Sequence, residues 1–581
     1  MGAAPPMAIT FPRPSIQGLR YSACTMQTLA ALHPRALFPS GASRREEAWR
    51  WLLLAFLCLW VSGCASLPSH VVRPVSTALA HPMETRLGRL VQARADQAGT
   101  RNDSGFALVG HAELAFTSRM TLIKAAQKTL DIQYYAIFAD DTTERLFDAL
   151  REAAGRGVRI RILLDDFNTS GKNAQVLQLA FEHNFELRLF NPLPSGRSSM
   201  AWRILSNLQD VARMQRRMHN KIFVADNAVA IVGGRNLGET YFGQSTGTNF
   251  VDIDVLASGR IARDLSRSFD QYWNDPMAYP VQSLMSAGEI ERLKPAPAAQ
   301  SERPAGIPLA LVDAASPPPE KPAPTAPPPL PDLTDLRLLP WTWAPSVLLV
   351  DQPSKIAADA DDVAEAQETA VDGLLQLMSQ AQTDLLIVSP YFVPGHRMMA
   401  QFAELRRRGI RMRVLTNSLA SNDAPAAHVG YARYREALLA MGVEIYEMRA
   451  EQEGTVRGFG ARAGSTGGSA NGSRASLHAK VVVVDGRLLV VGSMNLDLRS
   501  KLQNSEVAIV IRNRALSQEA TRMIEPALAH SAYRVERVDG HLVWRAPPGS
   551  GLPDSTTEPD TSLPLRLLLK LIGPLAPDEM L

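Results

Sequence analysis

One pattern occurs twice in this 581-residue chain and limits what the chain can fold into more than any other feature. Met218-His-Asn-Lys-Ile-Phe-Val-Ala-Asp226 runs on to Val232-Gly-Gly-Arg-Asn236. Leu477-His-Ala-Lys-Val-Val-Val-Val-Asp485 runs on to Val491-Gly-Ser-Met-Asn495. Both read H-x-K-x4-D-x6-G-[GS]-x-N, and His478 follows His219 by 259 residues. A repeat that long implies duplication of a whole domain, and two similar domains commonly pack about a pseudo-twofold axis.

The surroundings repeat as well. Thr129–Tyr135 is an alternating, β-branched and aromatic run; Leu146, Leu150 and Ala154 then share one helical face; Gly157–Leu164 is apolar at alternate positions. In the second half, Asp384–Tyr391, a helical stretch around Met399–Arg407 and Gly409–Leu415 follow in the same order. Strand, helix, strand, with the period switching from 2 to 3.6 and back, predicts an α/β fold. Each half is expected to carry a mainly parallel or mixed sheet flanked by helices.

Between the halves lie KPAPAAQSERPAG and SPPPEKPAPTAPPPLPD. Proline at that density cannot hold a helix or donate backbone hydrogen bonds, so the stretch reads as a semi-rigid linker. The expected division is a leader and signal peptide (1–64), a lead segment (65–104), a first half (105–290), the linker (291–340), a second half (341–545) and a tail (546–581). The tail carries Leu563–Ile572, a short amphipathic run with Arg566 and Lys570. It is too short to span a bilayer; it suits an interface or a helix docked on the body.

The only cysteines are Cys24, Cys58 and Cys64, which excludes a disulfide framework, a thiol nucleophile or a thiolate metal site from everything downstream. The formal charge of +3 argues against a polybasic nucleic-acid binder. Trp49–Gly63, preceded by Arg44 and Arg45 and containing Arg50, is an apolar run of signal-peptide length. Its close, Val61-Ser62-Gly63-Cys64, resembles a bacterial lipobox, in which the cysteine is lipid-modified. That implies a membrane-anchored lipoprotein of the cell envelope, facing the periplasm. Ala65 and Ser66 after the cysteine favour the outer over the inner membrane by the same analogy; an uncleaved single-span anchor is the alternative. Residues 1–43 fit no signal peptide, so the expected start lies downstream, for example near Met26.

The chemistry sits in the repeat. His219 and Lys221, like His478 and Lys480, are two apart on an apolar strand and so share a face. Gly233-Gly234 and Gly492-Ser493 allow close backbone approach, and Asn236 and Asn495 offer amides to an anion. A single histidine on an apolar strand is usually a satisfied core residue; two copies in register point to one shared site. Asp226 and Asp485 complete the motif, but seven residues after each histidine the odd spacing turns them off the His face. They read as structural turn or ion-pair residues.

These motifs are the signature of the phospholipase D superfamily, which the chain resembles over roughly residues 105–545. The resemblance implies two facing motifs around one site. One histidine attacks phosphorus and forms a phosphohistidine; the other protonates the leaving alcohol and later deprotonates the acceptor. It implies His219 as nucleophile and His478 as acid and base, an assignment that can be reversed. The two Lys, with Asn236, Asn495, Gly234 and Ser493, would hold the phosphate, and no metal or other cofactor is needed. Asp252 and Glu506 occupy the places where the family often holds a carboxylate that orients the His ring, with Asp254 competing for the first.

Further stretches are similar to bacterial cardiolipin synthases, particularly those using phosphatidylethanolamine with phosphatidylglycerol. They include Leu163-Leu-Asp-Asp166, Arg188-Leu-Phe-Asn-Pro192, Ser389-Pro-Tyr-Phe-Val-Pro394, Leu415-Thr-Asn-Ser-Leu-Ala-Ser-Asn-Asp423 and Gly430-Tyr-Ala-Arg433. The implied partners are membrane phospholipids and the membrane surface. A phospholipase D hydrolase, a tethered nuclease of the same superfamily and a non-catalytic lipid-binding lipoprotein are the alternatives.

Overall fold

The structure, a computed structural model, describes residues 66–286, 288–289, 335–358, 368–451 and 474–573. The leader with Cys64 and most of the Pro-rich linker lie outside the described residues.

The chain builds two nine-stranded sheets. The first-half strands are β1 (Ser104–Val109), β2 (Thr129–Tyr134), β3 (Arg159–Asp165), β4 (Phe185–Phe190), β5 (Ile222–Ala225), β6 (Val229–Gly233), β7 (Thr248–Val251), β8 (Asp254–Ser258) and β9 (Ala278–Pro280). Beyond the linker come β10 (Thr342–Ala344), β11 (Ser346–Val350), β12 (Asp384–Val388), β13 (Arg411–Asn417) and β14 (Glu444–Met448). The last are β15 (Arg474–Leu477), β16 (Val481–Val484), β17 (Leu488–Gly492), β18 (Val507–Arg512), β19 (Ala532–Val538) and β20 (His541–Arg545).

The first sheet runs β10-β1-β8-β6-β5-β2-β3-β4-β9 and the second β11-β18-β17-β16-β12-β13-β14-β19-β20. Position for position the central order is the same, as duplication requires. Both sheets are mixed. Only β2, β3 and β4, and their counterparts β12, β13 and β14, run parallel to one another; the motif strands β5 and β16 pair antiparallel on both sides. Helices Asp141–Gly155 and Gly395–Arg407 make the crossovers between the parallel strands.

Why the motif strands read as unbroken apolar runs is clear from the packing. Val481 and Val483 of β16 face a central core shared with Ile222 and Val224 of β5, while Val482 and Val484 face the outer core of the second half. Phe223 and Ala225 face the outer core of the first half. Strands buried on both faces need no polar alternation. Two sheets thus back onto one central core, and the motif strands lie in its middle.

The chain crosses from one sheet to the other at Pro345: β10 pairs with β1, and β11 immediately after it pairs with β18. Two further links join the halves. β7 pairs in parallel with β15, and Met218 bridges Ser505. The tail forms the helix Leu563–Ile572, leaving Leu563, Leu567, Leu568 and Leu571 exposed. Among the described residues no helix is long and apolar enough to cross a membrane.

Candidate active site

Both inter-half links end at a histidine. β15 runs straight into His478, whose backbone N–H donates to Val251 O at 2.8 Å. The Met218 bridge precedes His219, whose N–H donates to Ser505 O at 2.9 Å. Each histidine is therefore seated on the opposite half, and the next residue of that half supplies its carboxylate. His219 Nδ1 meets Glu506 at 3.0 and 3.1 Å; His478 Nδ1 meets Asp252 Oδ2 at 2.8 Å. The pairing is crossed in both directions. Asp254 is not involved: it binds Arg119 at 3.0 Å and Arg235 at 3.3 Å.

The carboxylates are themselves fixed. Glu506 accepts from the hydroxyls of Ser493 and Ser500, and its N–H donates to Asp351, which also binds Lys355 at 2.8 Å. Asp252 accepts from Ile253 N–H at 2.8 Å, and its carbonyl accepts from Arg235. Gly234 is required beneath it: an added Cβ would stand 2.5 Å from Asp252 Oδ2. Gly234 and Ser493, expected at the phosphate, stand against the two carboxylates, Gly234 making room for Asp252 and Ser493 donating a hydrogen bond to Glu506.

Lys221 and Lys480 are buried, each donating to the carbonyl of its own histidine, at 2.8 and 2.5 Å. Asn236 accepts from Ala136 N–H and donates to the Tyr241 hydroxyl at 3.0 Å, so its amide is partly committed to the fold. Asn495 is buried with Oδ1 unpartnered.

Asp226 and Asp485 are not brought to the rings. They lie beyond the far ends of β5 and β16, about 20 Å of extended chain from the histidines. Asp226 sits at φ 52° and accepts from the N–H groups of Gln127, Lys128 and Thr129; Asp485, at φ 51°, accepts from those of Gln382, Thr383 and Asp384. They cap the entries to β2 and β12. Asp226→Ala should lower folding stability by about 3 kcal/mol, because several amides lose their acceptor. Thermal unfolding should show the loss while activity per folded molecule stays within about twofold.

Burial, together with Lys221, Lys480 and Arg499, holds the His219 imidazole well below its ordinary pKa. Burial, the same two lysines and His219 do so for His478. Both rings are thus neutral at rest, and they are 8% and 4% exposed. An ionised carboxylate can only accept, so it fixes the proton on Nδ1 and leaves the Nε2 lone pair free. Burial pushes Glu506 up to about 7 against the pull of Lys221, and pulls Lys480 down to about 8 against Asp252 and Glu506. Burial holds Lys221 well below its ordinary range too, against the pull of Glu506, and two Nε2 bases between two buried lysines suit an anionic electrophile.

Sequence reasoning missed the aromatic wall. Tyr135 lies edge-on to His219 with ring centres 5.1 Å apart, and Lys221 Nζ stands 5.5 Å from the Tyr135 ring. Tyr241 and Phe250 pack on His478 at 5.2 and 5.0 Å. Tyr391 donates to Asp423 at 2.9 Å, close enough to Lys480 for Asp423 to influence it. The one available signal was position: Tyr135 and Tyr391 each follow the first parallel strand of their half.

The family model described as "Cardiolipin synthase, PLD-like domain" matches twice, at residues 120–273 and 374–527. Cardiolipin synthase C of Escherichia coli strain K12 is 36% identical over 439 residues, covering 74% of this chain and 86% of that protein. An uncharacterized protein of Helicobacter pylori strain 26695 is 30% identical over 520 residues, covering 89% of this chain and 97% of that one. The crystal structure of phosphatidylserine synthase from Haemophilus influenzae overlays with a TM-score of 0.51 at 13% identity, covering 84% of this chain and 99% of that one. That overlay speaks for the fold. A doubled family match that frames both motifs, with a relative alike over most of its length, makes this chain a member of the phospholipase D-like cardiolipin synthase family.

Proposed function

We propose that the protein is a phosphatidyltransferase of the cardiolipin synthase type, acting on membrane phospholipids through a phosphohistidine. The observation that carries the reading is the crossed pair of His–carboxylate contacts, His219–Glu506 and His478–Asp252, between two buried lysines. Membership of the family and the likeness to cardiolipin synthase C supply the substrate class.

In the proposed cycle, His219 Nε2 forms a bond to phosphorus and the bond to the head-group oxygen breaks. His478 gives its Nε2 proton to the departing alkoxide. It then takes the proton of a phosphatidylglycerol hydroxyl, whose oxygen bonds to phosphorus as the P–N bond breaks. Two membrane lipids become one four-chain lipid and a free head group. His478 must be protonated for the first step, although it is neutral at rest. The incoming phosphodiester anion supplies the reason: it offsets the cations that depress the imidazole. Lys221 and Lys480 compensate phosphate charge in the transition state, so the cycle calls on no metal. Asp252 and Glu506 hold the tautomers. Burial of both rings supports transfer over hydrolysis, since water must compete poorly at the phosphoenzyme.

Product analysis tests the reading. Vesicles of phosphatidylglycerol and phosphatidylethanolamine should yield cardiolipin and free head group; phosphatidic acid as the only lipid product would make the protein a hydrolase. We also propose that residues 105–290 and 341–545 are the duplicated halves, with Thr342–Ala344 lent to the first sheet, and that Cys64 carries a lipid tether to the cell envelope, supported by the Val61–Cys64 pattern. Labelling with palmitate should be lost in Cys64→Ala, and retained label would exclude that tether.

A further inference from the structure

Five large apolar side chains left in solvent fall within ten residues: Trp202, Ile204, Leu205, Leu208 and Val211 are 43% to 59% exposed. They lie on Met200–Leu205, the turn Leu208–Asp210 and Val211–Gln215. Surface helices ordinarily turn apolar residues inward and charges outward. Here the order is reversed. Arg203 is fully buried and donates to Asp166, and buried Asn207 donates to Arg203 O at 2.7 Å and Ser195 O at 3.2 Å. Asp166 also accepts from Arg197, Thr169 and Leu193 N–H. The apolar face is held outward by a buried ionic network rather than left there by loose packing.

That network is fastened to the site. Asp165, the neighbour of Asp166, accepts from Arg217 at 3.2 Å and from Met218 N–H at 2.9 Å, one residue before His219. Arg499, whose charge reaches His219, donates to Gln215 O. Tyr135, edge-on to His219, is reached by the charges of Asp165, Arg217 and Arg499. Of the five arginines in residues 195–217, Arg203 and Arg217 are buried on Asp166 and Asp165, while Arg197, Arg213 and Arg216 stay half-buried in the same segment as a single acid, Asp210.

We propose that this face docks on the headgroup–acyl boundary of a phospholipid bilayer containing anionic lipid, bringing the lipid to the Tyr135 side of the site. The inference rests on the lipid-substrate reading above. Tryptophan and leucine beside arginine is the chemistry that favours that boundary. A second copy of the chain suits the patch less well: a stable interface needs roughly 20–30 residues a side, far more than five exposed side chains.

The test uses the full chain and a Leu205→Ser, Leu208→Ser double variant, whose changes lie on the surface. Turnover of phosphatidylglycerol in bilayer vesicles should fall at least about tenfold, and turnover of dihexanoyl phosphatidylglycerol below its micelle concentration should stay within about twofold. Undiminished vesicle turnover, or equal loss on both substrates, overturns the proposal. A second readout needs no turnover. The emission lost in Trp202→Phe should be the part quenched by vesicles of brominated phosphatidylcholine and phosphatidylglycerol. Unquenched Trp202 emission overturns the proposal, and a smaller particle for the double variant would then mark a contact between copies. Trp202 quenched in a protein inert toward both lipids would keep the docking face and sink the catalytic reading instead.

Discussion

His219→Ala should abolish lipid transfer, with a loss of about 10,000-fold or more, equivalent to about 5 kcal/mol of transition-state stabilisation. The expectation follows from chemistry that no neighbour can replace. Among the side chains packed around the site, only the two imidazoles are neutral bases with a free lone pair; Lys221 and Lys480 donate to backbone carbonyls, and the two carboxylates are engaged with the rings. His478→Ala should cost a comparable amount by removing the proton donor for the leaving alkoxide. Groups that act as a unit are not additive, so the double variant should be little worse than either single one. Cardiolipin formation measured by mass spectrometry checks this. Residual transfer within about tenfold of wild type in either variant would exclude its histidine from the chemistry.

Glu506→Gln should lower kcat by about 100-fold or more while leaving KM for the lipid nearly unchanged. In the proposed cycle Glu506 is a positioning residue acting through His219, its carboxylate being engaged with that ring and with the hydroxyls of Ser493 and Ser500. An amide in its place can present an N–H to Nδ1, which favours the wrong tautomer and takes the proton to Nε2. Lys221 also loses the carboxylate that attracts it most strongly. Glu506→Asp should recover part of the loss, since Asp252 already does the equivalent work in the other half. The pH profile separates this role from a structural one. With Glu506 at about 7 and Lys480 at about 8, activity should peak between the two. Below about 7 the carboxyl takes up a proton and no longer accepts from Nδ1; above about 8 Lys480 loses the charge that compensates phosphate. In Glu506→Gln the acid limb at about 7 should vanish and the alkaline limb should move to lower pH, because Glu506 also helps hold the Lys480 charge.

The sequence carried the parts of this site that are set by strand periodicity. His219 with Lys221, and His478 with Lys480, share a face because residues two apart on a strand must. The order of strands and helices was likewise readable from hydrophobic period. The crossed pairing was not. Asp252 and Glu506 stood out only as matching positions before apolar runs, and nothing local says that each serves the histidine of the opposite half. That depends on the β7–β15 pairing and the Met218–Ser505 bridge, contacts between segments more than 200 residues apart. Tyr135, Tyr241 and Phe250 looked like ordinary core aromatics for the same reason. The strand Thr342–Ala344 was equally hidden, because a three-residue run after a proline-rich stretch gives no sign that it returns to the first sheet. The odd spacing of Asp226 from His219 is visible in the sequence; that it caps three amides near residue 128 is a matter of how β5 and β2 align.

The most direct test follows the phosphorus atom itself. The full-length protein is mixed with phospholipid labelled with radiophosphorus in its phosphodiester, quenched in alkali, which spares phosphohistidine, and digested for mapping. The label should sit on the peptide containing His219, be lost on mild acid treatment, and be absent from His219→Ala. A protein that turns lipid over while neither histidine peptide ever carries alkali-stable, acid-labile label would contradict a covalent cycle at this pair of rings.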